Sequence, residues 1–414
     1  MQSEKATTRT RWAEQSIAAF LSMPLISEFV FSSPQTIDGT QREVADFLVS
    51  YGDPGLLISL KSQEDPGSRT PERDAAWVRK TAKEAVRQLH GALRTGNARP
   101  MWCDHARRGR VEFPDGLPRI AHGIVLVETL QPVVLDGSSD DLPLQYQGTP
   151  VSYFSVNDFL NVTLQLRTLP EILEYLDRRR ALPLVDLRTV GEENGLFGFY
   201  LLNGGTFEGC LSIADARIMV AAQNERLNEV LRRKSEADSY STLMEHVAHE
   251  LATRLPNHLD SLPPELAAMF DSDGQRANYL EMQRVLATLR LPERVELGRA
   301  FESTARQLAH EQEGFIYRAA FFDSQPGRVY VVGSSKTIDR PRVLSRLSAL
   351  ALGAMAHYGK GECFAVINRD CAGYEVEFAR GKTEPTLAAH AIGDTLFGKL
   401  RVETRALQLV PNEK

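Results

Sequence analysis

Cysteine is scarce in this chain. Cys103, Cys210, Cys363 and Cys371 are the four among 414 residues, and no two stand in C-x-x-C spacing. That spacing indicates neither a zinc ribbon nor a disulfide framework, and it fits a reducing compartment. The opening MQSEKATTRTRW lacks the apolar core of a secretory signal, and no apolar run reaches the roughly 18 residues of a membrane span. A cytoplasmic protein without membrane contact is the expectation. A glycine-rich phosphate loop, a Ser/His nucleophile motif, an internal repeat and low-complexity tracts are missing too. His246 and His249 lie three residues apart on an expected helix, but without H-E-x-x-H order or an obvious third ligand. A zinc-dependent hydrolase centred there is held only as a third reading.

With 43% hydrophobic and 25% charged residues, the composition is that of a globular chain, and its length predicts two or three domains. The patterning divides it at 1–215, 216–312 and 313–414. The net charge is −6, yet between Arg69 and Arg110 eleven basic residues face four acids, a local excess of seven positive charges. Clustered Lys and Arg neutralise phosphates, although a charged helix face is often only a solvated one.

Two short apolar runs carry the chemistry. Val44 to Tyr51 ends in Gly52-Asp53-Pro54-Gly55, and Leu56 to Leu60 follows directly. Runs joined by such a turn predict a β-hairpin, with Asp53 assigned to the turn itself. Side chains alternate along a strand, which places Ser59, Lys61 and Gln63 on one face. Glu43 and Asp46 head the partner strand. Two carboxylates facing a lysine suit metal-assisted phosphodiester hydrolysis: the acids hold Mg²⁺, and the lysine orients water or offsets charge on the phosphate. The same pattern also fits a half-buried hairpin whose lysine protects a sheet edge.

Asp74 to Thr95 follows with helical periodicity. Val78, Ala82, Ala85, Val86, Leu89, Ala92 and Leu93 form its apolar face. Lys80, Lys83, Arg87, His90 and Arg94 fall opposite, and Gln88 lies at the margin. Lys80, Lys83, Arg87 and Arg94 are the candidate nucleic-acid contacts.

This hairpin and helix resemble the core of the PD-(D/E)XK nuclease superfamily, in particular its Mrr-like and NERD-like members. There a glutamate sits on or after the first helix, an aspartate opens a strand, and the next strand ends in (D/E)-x-K. The resemblance makes Glu43 the helix glutamate, Asp46 the metal aspartate and Lys61 the lysine, with Gln63 and Gln88 lining the site. Ser59 stands where the family has an acid, and a hydroxyl is a poor Mg²⁺ ligand beside a carboxylate. Two readings stay open. In one, Glu43 supplies the second carboxylate of a Mg²⁺- or Mn²⁺-dependent endonuclease, on DNA in preference to RNA. In the other, a degenerate nuclease-like scaffold binds nucleic acid or a partner protein. By analogy with such proteins, the setting is restriction or anti-phage defence, with a homo-oligomer or a defence-system protein as partner.

The expected fold class is an α/β, restriction-endonuclease-like N-terminal domain plus an α+β C-terminal region. Further elements expected in the first half are a helix from Trp12 to Leu21, a strand from His122 to Glu128, a loop from Asp136 to Asp141 and a helix from Phe154 to Leu166. Thr168 and Glu171 predict a capping box opening a helix from Pro170 to Arg180. The Arg178-Arg179-Arg180 run is read as complementing that helix's dipole rather than binding phosphate. Leu196 to Leu202 reads as a strand. In the second half, helices are expected at Ile213–Arg233, Tyr240–Leu255, Gln275–Leu289 and Glu293–Gln312. Strands follow at Gly314–Phe322 and Val329–Gly333, a helix at Arg340–His357, and strands at Cys363–Asn368 and Tyr374–Phe378. Lys336, Arg340, Arg342 and Arg346 form a second small basic group near a helix start.

Overall fold

The Gly52–Gly55 turn joins two antiparallel strands, β2 (Phe47–Ser50) and β3 (Gly55–Lys61), with Phe47 opposite Ile58 and Ser50 opposite Gly55. Asp53 lies in the turn, and its Oδ1 accepts the Arg119 amide at 2.7 Å, which ties the turn to the chain before the Ile120–Val127 strand. The computed structural model describes residues 17–37, 45–62, 70–96, 99–129, 131–135, 141–254, 273–310, 314–336, 339–369, 376–382 and 386–398. Glu43, Gln63, Cys371 and residues 136–140 lie outside them, as do residues 12–16 of the expected first helix, which is helical over 17–21. The chain divides into two compact units, with one boundary between Leu231 and Arg232 inside a long helix.

The first unit is built on a mixed sheet of eight strands, in the order β5-β4-β1-β2-β3-β6-β9-β8. β1 (Val30–Thr36) pairs antiparallel with β2 and with β4 (Met101–His105), and β5 (Gly109–Phe113) closes that edge. On the other side β6 (Ile120–Val127) runs parallel to β3, and β9 (Thr149–Ser155) parallel to β6. The short β8 (Gln145–Tyr146) ends the sheet, while β7 (Val133–Val134) and β10 (Thr189–Val190) pair separately.

Between β3 and β6 the chain forms helix α1 (Pro71–Gly96). All seven apolar positions of its expected inner face are buried, packed with Leu48, Leu57, Val125 and Val127 from the sheet. Gly123 on β6 permits this approach, since a Cβ there would sit 2.4 Å from Leu89. The opposite face of the sheet carries Leu56, Ile58, Ile124, Leu126 and Phe154, all buried. It is covered by α2 (Val156–Leu166) and α3 (Leu169–Arg179), with α4 (Glu193–Leu202) packed on α2.

Several expectations need correction. Leu196 to Leu202 belongs to helix α4, not to a strand. A continuous apolar run has no period to tell a buried strand from a buried helix, and these seven residues are buried all round. The Asn203-Gly204-Gly205 that follows is a helix end: both glycines have positive φ, and the Gly205 amide returns to Tyr200 O at 2.8 Å. The helix expected from Phe154 begins at Val156, because Phe154 and Ser155 finish β9 and the Ser155 hydroxyl caps the Asp158 amide. Thr168 is the N-cap of α3, but its hydroxyl bonds the Glu171 carboxylate at 2.7 Å rather than a backbone amide.

The second half is mostly as expected in order. α5 (Ile213–Ala222) is followed by α6 (Asn224–Arg254), so the break between the two expected helices falls at Gln223 and not between Arg233 and Tyr240. The polar stretch around Lys234 does not break it, because buried Lys234 pairs with Asp238 one turn on, at 2.8 Å. After α7 (Asp273–Ala287) and α8 (Leu291–Ala309) comes a four-stranded sheet, β11 (Phe315–Ala320), β12 (Arg328–Ser335), β13 (Glu362–Asn368) and β14 (Val376–Gly381), in that order. β12 and β13 are parallel and joined by α9 (Arg340–Tyr358), whose Val343, Leu347 and Leu350 enter the core with Val329, Val331 and Ala365. Helix α10 (Leu387–Phe397), not expected from the sequence, adds Phe397 to that core.

Candidate functional site

Where β3 ends, three of the expected site residues meet. Ser59 and Lys61 alternate onto the α1 side of the sheet, as Leu57 does before them. Gln88, on the margin of α1, reaches down between them. Its Oε1 accepts Lys61 Nζ at 2.7 Å and the Ser59 hydroxyl at 3.3 Å. The amide has one workable orientation, because turned over its NH₂ would face the ammonium. Ser59 is fully buried, whereas Lys61 and Gln88 are half-buried.

Asp46 stands one residue before β2. Its amide donates to Ile58 O at 3.2 Å, its carbonyl accepts the Ser33 amide at 3.0 Å, and its Oδ2 accepts the Leu60 amide at 2.8 Å. The carboxylate thus lies against the backbone between Ser59 and Lys61. The neighbouring β1 is irregular at this point: its register shifts between Ser32 and Gln35, and Ser33 takes a φ of 48°, rare for a residue other than glycine. Such backbone outliers gather at functional sites. Of the expected metal ligands, Asp46 and Ser59 are placed here and Glu43 lies outside the described residues. Gln63, the third expected lining residue, does also.

A hard divalent cation of the Mg²⁺ type is held by one or two carboxylates and completes its shell with water and substrate phosphate, and Asp46 is the described carboxylate at this point. Among the described residues no group of three or more His, Cys, Asp and Glu side chains has metal-binding geometry. That includes His246 and His249.

The basic residues around α1 separate into two kinds. Arg73, Lys80, Arg87 and Arg94 are exposed and recur every seven residues, about 10.5 Å apart along one helix face. Lys80 has only a loose contact of 3.9 Å with Glu84. Lys83, expected to belong with them, is tied instead to Asp141 at 2.8 Å. Arg79 donates to Val134 O. Arg107 and Arg108 are fastened to Glu28, the latter also over the Phe31 ring, and Arg110 stacks on Trp102 at 4.7 Å. The dense sequence cluster therefore resolves into an exposed stripe on α1 and a structural group around the β4–β5 turn. Nothing in the sequence marks which arginines meet Glu28, more than 70 residues away.

Arg178, Arg179 and Arg180 also part company. Arg178 donates to Gly205 O and pairs with Glu174, and Arg180 lies 4.0 Å from Asp177. Arg179 is buried and makes a two-point pair with Glu193, at 2.7 and 2.8 Å. Tyr175 donates to the same carboxylate at 2.5 Å, and the guanidinium sits over Phe154. Sequence reasoning missed this cluster, because Glu193 is 14 residues from Arg179 and belongs to another helix. In the second unit, Arg346 lies over the Phe315 ring at 5.7 Å and Arg342 is exposed.

No helix among the described residues is long and apolar enough to cross a membrane. No protein-family model, curated protein or solved structure matches the chain.

Proposed function

We propose that the first unit is a Mg²⁺- or Mn²⁺-dependent nucleic-acid endonuclease of PD-(D/E)XK type, cutting DNA in preference to RNA. One observation carries the reading: Ser59, Lys61 and Gln88, drawn from β3 and α1, converge where the Asp46 carboxylate meets the β3 backbone. An aspartate opening one strand, a lysine ending the next and a glutamine returning from the following helix is the arrangement that the resemblance implies.

In this reading Asp46 and Glu43 hold the cation, which when bound supplies charge stabilisation at the phosphate and a more acidic water. Lys61 has three N–H donors, and Gln88 takes one. The others are available to a phosphate oxygen or to the attacking water, and the Gln88 contact fixes the ammonium in position beforehand. Ser59 and Gln63 line the site. Arg73, Lys80, Arg87 and Arg94 offer a row of cations to the nucleic-acid backbone.

A second reading is favoured by the burial of Ser59 and its bond to Gln88. With that acid replaced, the domain is a nuclease-like scaffold that holds nucleic acid or a partner protein. Restriction or anti-phage defence, with a second copy or a defence-system protein as partner, fits either reading by analogy only.

The test is cleavage of plasmid, linear duplex, single-stranded DNA and RNA with Mg²⁺ or Mn²⁺ by wild type, Lys61→Ala and Asp46→Ala. Cleavage by wild type and loss of at least 100-fold in both variants is the expected result. Equal cleavage by all three would sink the site, and binding without cleavage would favour the scaffold.

A further inference from the structure

Glycine inside a helix is costly, because it loses more backbone freedom on folding than alanine does. Five glycines within helices have a packing reason. A Cβ on Gly195, Gly198, Gly298, Gly353 or Gly393 would lie between 2.1 and 3.1 Å from a neighbouring atom. Gly91, well inside α1, has none. An added Cβ there meets nothing within 4 Å, and its φ is not of the left-handed kind. Neither packing nor backbone conformation asks for glycine at this position, and alanine would make the helix more stable.

Gly91 keeps one place on the outer face of α1 low. At about 100° per residue, Gln88 lies about 60° to one side of it, with Arg87 and Arg94 about 40° and 60° to the other. Residues three and four apart on a helix are neighbours, so Gly91 lies between the arginine row and the glutamine that holds Lys61. Arg87 and Arg94 are exposed, and neither joins an ion pair among the described residues. The acid nearest Gly91 along the helix is Glu84, which lies 3.9 Å from Lys80. A low point with cations on both sides is complementary to a polyanion laid across the helix, and a side chain there would hold that polyanion off. Resting on the nucleic-acid reading above, we propose that the sugar–phosphate backbone crosses α1 at Gly91. It is held by Arg87 and Arg94 on one side and reaches Lys61 past Gln88 on the other. Gly91 is then a positioning residue: without a side chain it lets a phosphate come close to the helix, and the cations retain it there. The contact needs no bound metal.

Binding of a fluorescently labelled 20-base-pair DNA duplex, and of its single strand, to the full-length protein tests this without any turnover. It is read by anisotropy in EDTA. Wild type, Gly91→Ala, Gly91→Leu and Arg87→Ala are compared, and their melting temperatures are measured without DNA. Both Gly91 variants should melt higher than wild type, by about 2–4 °C for Gly91→Ala. Both should nevertheless bind more weakly. The expected loss is about tenfold for Gly91→Leu and smaller for Gly91→Ala, because the obstruction to the phosphates grows with the side chain. Arg87→Ala should also weaken binding and reduce its dependence on salt.

A gain in stability together with a loss of binding is what a merely structural glycine could not give. Binding by Gly91→Leu as tight as by wild type overturns the proposal. If Arg87→Ala then still binds weakly, the nucleic-acid reading stands without the crossing. A fall in melting temperature for Gly91→Ala also overturns it, since the glycine would then have a packing reason. No binding of duplex or single strand by wild type removes the crossing and the nucleic-acid reading together. Loss of binding in Gly91→Leu, without cleavage by wild type, keeps the crossing and moves the function to the scaffold.

Discussion

The first unit carries two polar clusters on opposite faces of one sheet, and they differ in how fully each is satisfied. Behind Phe154, Arg179 is paired through two hydrogen bonds to Glu193, which also accepts from Tyr175, and all three are buried. Burial by itself opposes the guanidinium charge, but the Glu193 carboxylate more than offsets it, so Arg179 titrates above its ordinary value. On the α1 face, Lys61 is half exposed and its described partner is a neutral amide. The first cluster has matched its charges internally and has little to offer a ligand. The second leaves an ammonium with donors to spare. Buried charge with complete partners is the signature of architecture, and half-buried charge with a neutral partner that of a binding site.

The comparison breaks most visibly at Arg179. Arg179→Ala would strand Glu193 in the core, which costs about 3–5 kcal/mol. Urea unfolding should show a loss of that size. Arg179→Met combined with Glu193→Leu should recover most of it, since neither charge is then left alone. A loss below about 1 kcal/mol for Arg179→Ala would mean that the pair is not structural, and the contrast between the two faces would fall.

How much of this was legible in the sequence follows from the range of the interactions. The inner face of α1 and the Gly52–Gly55 turn were readable because their causes are local: a 3.6-residue period and the turn preferences of Gly, Asp and Pro. Ser59, Lys61 and Gln88 could be listed from the hairpin and the helix margin, yet no spacing rule says that one Gln88 oxygen serves both others. β1, β4, β5 and β9 left no signal strong enough to assign. β9, Thr149–Ser155, is buried on both faces and so lacks the alternation that marks a strand with one solvent side. Helix α4 was misread for a related reason. The core ion pair was out of reach because its partners come from α3 and α4, and only packing decides that Arg179, rather than Arg178 or Arg180, turns inward.

A smaller effect of known sign comes from His122 on β6. It is buried, and its Nε2 meets the exposed Asp177 carboxylate at 3.0 Å. Burial lowers its pKa below the ordinary histidine value, against the raising influence of Asp177, and nearby Arg180 adds to the lowering. The folded state therefore binds fewer protons here than the unfolded chain. Stability is fully present above about pH 6.5, the unfolded value, and is lost as the pH falls from there through the folded pKa. Thermal unfolding between pH 7.5 and 5.0 should show this decline in wild type, and His122→Leu should flatten it. A steeper decline in the variant would show that the Asp177 pair, not burial, governs the histidine.

The smallest effect on stability belongs to the site itself, and it sharpens the contrast most. Lys61 and Gln88 are half-buried and sit at the end of a strand and the margin of a helix. Lys61→Ala leaves Gln88 still accepting from Ser59, so no buried group is orphaned, and the unfolding free energy should move by less than about 1 kcal/mol. Gln88→Ala removes the shared acceptor of a fully buried hydroxyl, which costs more, about 1–3 kcal/mol. Both variants should nevertheless lose nucleic-acid cleavage, because the ammonium is either absent or no longer held. A residue whose removal leaves the fold intact and ends the chemistry is placed for function, whereas Arg179 would show the reverse order of effects. If urea unfolding found Lys61→Ala as costly as Arg179→Ala, the lysine would be part of the architecture, and the two faces of the sheet would be alike.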